Sequence, residues 1–322
     1  MEFLAPGAAP GAAHVRVGAG ASASQDQPPK HVCDGAAGTA AQRGIVPAIA
    51  SAQRRIPAEL ALPAPFFADG EHIGCQLSGG RILFTTRRGG VSRPPYDTLN
   101  LGLFTDDDPA AVSENRDLLA TRIGIARERS LQGRQVHGAQ VCRVRELPDP
   151  AAGLEDADGQ ATAIEDVAVV VLTADCLPVA LVAAEAVAIV HAGWRGLASG
   201  VLAEGVAALR ELGAAGEIRA AIGPGAGPCC YETGPQVHAA FERHGPGARR
   251  GDNADLKFVA RRQLEHAGVD ELHDVGVCTL CAPDAQRAAG LFFSHRRDGG
   301  LTGRQAAAVW RVAAPSGAPW PS

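Results

Sequence analysis

The run Val167-Ala168-Val169-Val170-Val171-Leu172-Thr173-Ala174-Asp175-Cys176-Leu177-Pro178-Val179-Ala180-Leu181-Val182-Ala183-Ala184-Glu185-Ala186-Val187-Ala188-Ile189-Val190 is the richest apolar stretch of the chain. Its length invites a membrane reading, since a spanning helix needs about 20 mostly apolar residues. Asp175, Pro178 and Glu185 break it into shorter pieces. What remains is three runs dense in Val and Ile, 167–172, 179–182 and 186–190. Continuous β-branched runs of that length read as strands buried on both faces. A short turn near Ala184-Glu185 joins the second to the third. Polar residues able to do chemistry stand directly where the strands end.

The flanking sequence yields further elements. Arg81–Thr86 reads as a strand ended by Gly89-Gly90, Val141–Val144 as a short strand, Ile218–Ile222 as a strand entering a Gly/Pro loop, and Val309–Val312 as a closing strand. Val112–Ile123 has helical spacing, with Asp107, Asp108 and Pro109 placed to start it. Leu197–Leu212 reads as one helix stopped by Gly213, and Pro235–His244 and Lys257–Ala267 are helical. Without strict βαβ alternation, this mixture gives the α+β class: one domain with a mixed β-sheet core flanked by helices.

The ends differ from this core. Residues 1–64 are rich in Ala, Gly, Pro, Ser and Gln, as in Ala8-Ala9-Pro10-Gly11-Ala12-Ala13. Such a segment buries too little apolar surface to offset its conformational entropy. It is expected to be disordered, and an upstream mis-assigned start would explain it equally well. Residues 315–322 read the same way, leaving 65–314 as the folded unit.

Over 322 residues the net charge is −5 and charged residues make up 20%, which excludes a nucleic-acid binder working by bulk positive charge. Lys occurs only as Lys30 and Lys257, so Arg carries nearly all the positive charge. No secretory signal pattern is visible. Eight cysteines in a chain this long, without such a signal, point to free thiols or metal ligands. The expected compartment is the cytoplasm and the expected state a monomer, with no membrane partner.

Chemistry-bearing residues concentrate in Gln135-Val136-His137-Gly138, in Thr173-Ala174-Asp175-Cys176 and in His191-Ala192-Gly193-Trp194-Arg195-Gly196. His, Cys and His are good donors for a borderline-soft cation such as Zn²⁺, and three ligands with a fourth position open is the pattern of a catalytic site. Another reading needs no metal: Cys176 as nucleophile, His191 as base, and Asp175 or a carbonyl as orienter. Spacing alone leaves both open.

The motifs FTTRRGGVS at 84–92, LNLG at 99–102, Glu114-Asn115-Arg116, QVHG at 135–138, ADG at 157–159, TADC at 173–176, HAGWRG at 191–196, IGPGAGPCCYE at 222–232 and FFSHRRDGGLTGRQ at 292–305 follow in order. Together they resemble the polyphenol oxidoreductase, or laccase-domain, family, over residues 75–313. Members of that family are described as purine nucleoside phosphorylases, and some as peptidoglycan editing factors. The resemblance implies an α/β sandwich-like fold related to Cys-dependent toxin hydrolases, and a zinc site made by His137, Cys176 and His191. It also implies phosphorolysis of adenosine, inosine and S-methyl-5'-thioadenosine, with adenosine deamination.

Those reactions assign provisional roles. Asp175, beside Cys176, is the nearest acid and the expected proton shuttle for deamination. Arg87 and Arg195 are the expected phosphate cations, since Arg binds a dianion bidentately; Arg296, Arg297 and Arg304 come next. Asn100 is placed to bond a ribose hydroxyl. Cys278-Thr279-Leu280-Cys281 has knuckle spacing but no second pair near it in sequence, so two packed thiols are expected. Cys229 and Cys230 are expected to be buried, and Ile222–Pro228 to form a tight turn lining the pocket. The competing functions are a copper-dependent oxidase of phenols, a metal-free Cys–His hydrolase or amidase acting in peptidoglycan quality control, and a non-catalytic partner of envelope machinery.

Overall fold

Side chains alternate across a strand, so a strand that is apolar at every position must be covered on both sides. In the computed structural model, which describes residues 56–57, 60–149, 153–282 and 290–312, both covers are visible. One six-stranded sheet runs in the order β1 (Phe66–Asp69), β2 (His72–Leu77), β3 (Gly80–Phe84), β14 (Gln305–Arg311), β7 (Ala168–Thr173), β4 (Ser130–Leu131). The other runs β13 (Glu271–Asp274), β10 (Arg219–Ile222), β8 (Leu177–Val182), β9 (Val187–Ala192), β6 (Gly159–Thr162), β5 (Val141–Val144). A two-stranded ribbon, β11 (Arg249–Arg250) with β12 (Asn253–Ala254), stands apart from both.

The layers follow from the alternation. Val169 and Val171 of β7 meet Ala180 and Val182 of β8, and Val187 and Ile189 of β9, in an apolar layer between the sheets. The intervening Ala168, Val170 and Leu172 face outward onto Leu119 and Ile123 of helix α1 (Pro109–Ile123). On the second sheet, Leu177, Val179 and Leu181 of β8 and Ala188 and Val190 of β9 face outward too. They pack on Val201, Leu202 and Leu209 of α3 (Val201–Glu211) and on Val259 and Leu264 of α5 (Leu256–His266). Helix, sheet, sheet and helices thus stack in that order, as the sandwich-like reading expects.

The start signals Asp108 and Pro109 act as read at α1, and the structure adds a stop. Asp108 accepts from the Ala110 N–H at 2.9 Å, Pro109 takes the first turn, and Gly124 closes the helix in the left-handed conformation with φ 71°. The helix expected over Leu197–Leu212 is instead two. Gly200, with φ 86°, separates α2 (Trp194–Ala198) from α3. Helix α4 (Pro235–Phe241) continues as a 3₁₀ turn to His244.

The expected disorder over 1–64 and 315–322 falls mostly outside the described residues. Its inner boundary moves, however. Ile56 is buried in the inter-sheet layer, and Leu60 and Leu62 pack against it. No described helix is long and apolar enough to cross a membrane.

Candidate metal centre and cavity

The turn after β7 crosses from one sheet to the other, and Cys176 stands on it, one residue before β8. His191 is the fifth residue of β9, paired in register with Pro178 of β8. His137 lies in the loop between β4 and β5, with φ 62°. That loop is docked on the end of β7 by Gln135, whose side-chain amide donates to the Leu172 carbonyl at 2.7 Å and accepts from its N–H at 2.8 Å. The metal-ligating atoms of His137, Cys176 and His191 thereby converge to within 4.8 Å of one another, with 3.9 Å between the Cys176 Sγ and His137 Nε2.

Asp158, one residue before β6 and fully buried, holds this group together. Its carboxylate accepts the backbone N–H groups of Val136 (3.1 Å), His137 (2.9 Å) and Gly138 (2.6 Å). It also bonds the His191 Nδ1 at 2.8 Å, which leaves Nε2 as that ring's free nitrogen. A carboxylate behind an imidazole fixes its tautomer and raises its donor strength, the usual support of a metal-binding His. Gly193 supplies room: a Cβ there would lie 3.0 Å from the Cys176 Sγ and 3.1 Å from the His137 ring.

The electrostatics suit deprotonated sulfur. Burial alone would push the Cys176 thiol up, but the His191 and His137 imidazoles outweigh it and bring it down to about 6. Burial would lower His191, yet Cys176 and Asp158 push it up to about 9. Asp158 stays below the usual carboxylate range. Its own burial is outweighed by the bond to His191 and by the N–H groups it accepts. Thiolate and imidazole in this geometry form a donor set for a soft or borderline cation.

The trio opens on a cavity of about 450 Å³, a size that takes a small organic ligand. Asp175, Trp194, Arg195, Tyr231, Arg296 and Arg304 are among its walls, with Leu103 and Phe104 at the lip. Arg195 stacks over Trp194 at 4.4 Å, and Arg296 over Tyr231 at 5.1 Å. None of the three wall guanidiniums has a carboxylate partner among the described residues; Arg296 and Arg304 donate to carbonyls instead.

Several expected roles are corrected by placement. Arg87 is not at the cavity. Only 2% of its side chain is exposed, it pairs with Asp97 at 3.0 Å, and it lies over the Phe293 ring, so it organises the Ser92–Thr98 loop. Asn100 is fully buried. It donates to Thr105 and Asp107 and accepts from the Gly102 and Arg304 N–H groups, which is turn capping with no group left for a ribose. Arg297 pairs with Asp298 and two carbonyls. Asp175, in a left-handed conformation with φ 94°, does line the cavity. Its oxygens already accept from Thr279 (2.6 Å), Ser294 (3.0 Å) and the Arg296 N–H (2.8 Å), which makes it a fixed wall. The Gly-rich loop packs beneath the site, with the Ala226 N–H on the Asp175 carbonyl, and does not line it. Cys229 is exposed and Cys230 only half-buried, against the expectation of burial. The residue missed outright is Asp158. It stands in the ADG motif, but nothing local marks it, because its partners lie 20 to 33 residues away.

Residues 81–312 match the family described as multi-copper polyphenol oxidoreductase laccase. A protein named purine nucleoside phosphorylase from Xylella fastidiosa is 41% identical over 250 residues, covering 72% of this chain and 92% of that protein. Another so named from Mycobacterium tuberculosis is 40% identical over 238 residues, covering 71% and 91%. The crystal structure of YlmD from Geobacillus stearothermophilus superposes with a TM-score of 0.68 at 35% identity, over 74% of this chain and 96% of that one.

Proposed function

The chain belongs to the multi-copper polyphenol oxidoreductase laccase family, and from that premise we propose that residues 65–314 form a zinc-dependent purine nucleoside phosphorylase. Its substrates would be adenosine, inosine and S-methyl-5'-thioadenosine with phosphate, and adenosine deamination a second reaction. The names of the relatives support the reaction class. The observation that carries the reading in this chain is the cavity itself: a His–Cys–His floor under three guanidiniums that no carboxylate of the described residues pairs with.

His137, Cys176 and His191 are the residues that would hold the ion, and the carboxylate behind His191 is the reason they fit it. Zinc bound there supplies a Lewis acid at the cavity floor. Arg195, Arg296 and Arg304 take the phosphate dianion, each through fixed, always-charged N–H donors. A phosphate oxygen bonds C1′ as the C1′–N9 bond breaks, and the electron pair leaves with the purine, which takes up the proton that the hydrogen phosphate gives up. Trp194 and Tyr231, braced by Arg195 and Arg296, and the exposed Phe104 give the base an aromatic surface. Asp175 positions Cys176 and the cavity wall.

The test is incubation of zinc-loaded protein with inosine and phosphate. Hypoxanthine and ribose 1-phosphate are expected, in amounts that depend on phosphate; zinc-loaded protein that releases no base overturns the reading. Ammonia from adenosine reports the deamination. Oxygen uptake with phenols in copper-loaded protein would favour the oxidase instead. One observation favours a second reading: the paired Cys176 thiol and His191 are also a nucleophile and its base. A hydrolase of that kind keeps its activity after chelation and loses it to thiol alkylation.

A further inference from the structure

The segments 229–230 and 278–281 lie about 50 residues apart in sequence and meet in space. Strands β10 and β13 are parallel neighbours, so the chain leaves both at the same end. Past that end the pairing continues: Gly225 bridges Cys278, and the Thr279 N–H donates to the Gly225 carbonyl at 3.1 Å. The turn that follows brings Cys229 and Cys230 onto Cys278 and Cys281, with all four sulfurs within 4.8 Å of one another.

We propose that Cys229, Cys230, Cys278 and Cys281 bind a second zinc ion, in an all-sulfur site that fastens the cavity wall. A tetrahedral ion with Zn–S bonds of about 2.3 Å sets its sulfurs roughly 3.8 Å apart. The Cys229 and Cys281 sulfurs are 3.6 Å apart. Sulfurs packed this closely leave space for one ion and none for an iron–sulfur cubane. The Gly227 N–H donates to the Cys278 Sγ at 3.3 Å, the backbone support a metal thiolate takes. Gly227 also keeps the space open, since a Cβ there would lie 3.1 Å from the Cys278 Cβ and 3.2 Å from the Cys229 Sγ. Four ligands close the coordination sphere, the mark of a structural ion.

What the ion fastens is specific. Tyr231, next to Cys230, lines the cavity. Thr279, between Cys278 and Cys281, donates to Asp175 at 2.6 Å, and the Ala226 N–H reaches the Asp175 carbonyl at 2.7 Å. Asp175 precedes Cys176. Both segments held by the four sulfurs therefore reach the same turn, from either side of the first donor group.

The test uses the full chain carrying His137→Ala and Cys176→Ser, so that any retained metal reports on the four cysteines. The protein is purified with a thiol reductant and no added metal. The expected result is about one zinc per chain, with an X-ray absorption spectrum of four sulfur neighbours at about 2.3 Å. Adding Cys278→Ser and Cys281→Ser should remove that zinc. Metal-free protein, a mixed nitrogen–sulfur shell, iron in place of zinc, or disulfides among these cysteines by mass spectrometry overturns the proposal. The spectrum decides even if the fourfold variant does not fold. The wild-type chain binding two zinc ions to the double variant's one separates this site from the His–Cys–His group.

Discussion

Two groups of donors lie on either side of one turn and are built on opposite plans. His137, Cys176 and His191 are three, mixed in kind, and open onto a cavity. Cys229, Cys230, Cys278 and Cys281 are four and all sulfur. The first is braced by a buried carboxylate that holds three backbone N–H groups and an imidazole. The second is supported by a backbone N–H donated to sulfur. Ligand count and cavity together separate the two: an unfilled position beside a cavity serves chemistry, whereas a filled sphere serves architecture. Each plan predicts its own response to substitution.

The largest effect is expected at Asp158. Asp158→Asn puts an amide where four donors now point, so His137 and His191 lose their fixed orientation. Zinc affinity of the trio and phosphorolysis should each fall about 10–100-fold, while the sulfur-only ion stays in place. Elemental analysis with inosine phosphorolysis reads both. Loss of both ions together would break the comparison, by showing one cooperative unit in place of two plans.

The paired glycines sharpen it further. Gly193→Ala drives a methyl against the Cys176 sulfur, and Gly227→Ala drives one against the Cys229 sulfur and Cys278. Overpacking of about 1–3 kcal/mol should weaken the nearer ion roughly tenfold in each case. Only Gly193→Ala should cut turnover in proportion. Gly227→Ala should act mainly on thermal stability and, through Tyr231 in the cavity wall, on the KM for inosine. Equal loss of turnover in the two variants would contradict the division of labour.

The sequence showed these two groups unequally, for a physical reason. The trio stands at the ends of β8 and β9 and in the loop that Gln135 docks on β7, and those strands are legible because both faces are buried and all positions but Thr173 and His191 are apolar. The four cysteines are joined by the parallel pairing of β10 with β13, and β13 reads Glu-Leu-His-Asp, an edge strand without an apolar signature. Strand β6, Gly-Gln-Ala-Thr, is fully buried yet carries no hydrophobic pattern, so Asp158 just before it had no visible address. Arg87 beside Gly89-Gly90 looked like an exposed anion site because Asp97, which neutralises it, is ten residues away. Gly200 inside a helical pattern looked tolerable until its positive φ ended the helix.

The smallest effect within the working pH range belongs to the scaffold that both groups share. His72 on β2 is buried, and its Nδ1 accepts the Thr86 N–H at 3.3 Å, which requires that nitrogen to be unprotonated. Burial, with the Arg122 guanidinium nearby, holds its pKa down to about 4. In the unfolded chain the same ring titrates near 6.5. Between these values the unfolded state binds more protons, so stability is full above about 6.5 and is lost as pH falls toward 4. From pH 7.5 to 6 the loss is under about 1 kcal/mol, and it approaches roughly 3 kcal/mol only near pH 4. Urea midpoints across that range check it. His72→Gln, which keeps an acceptor for Thr86 without a titrating ring, should flatten the curve. An unchanged slope in that variant would move the acid sensitivity away from His72, leaving the two cysteine-containing donor groups as the next place to look.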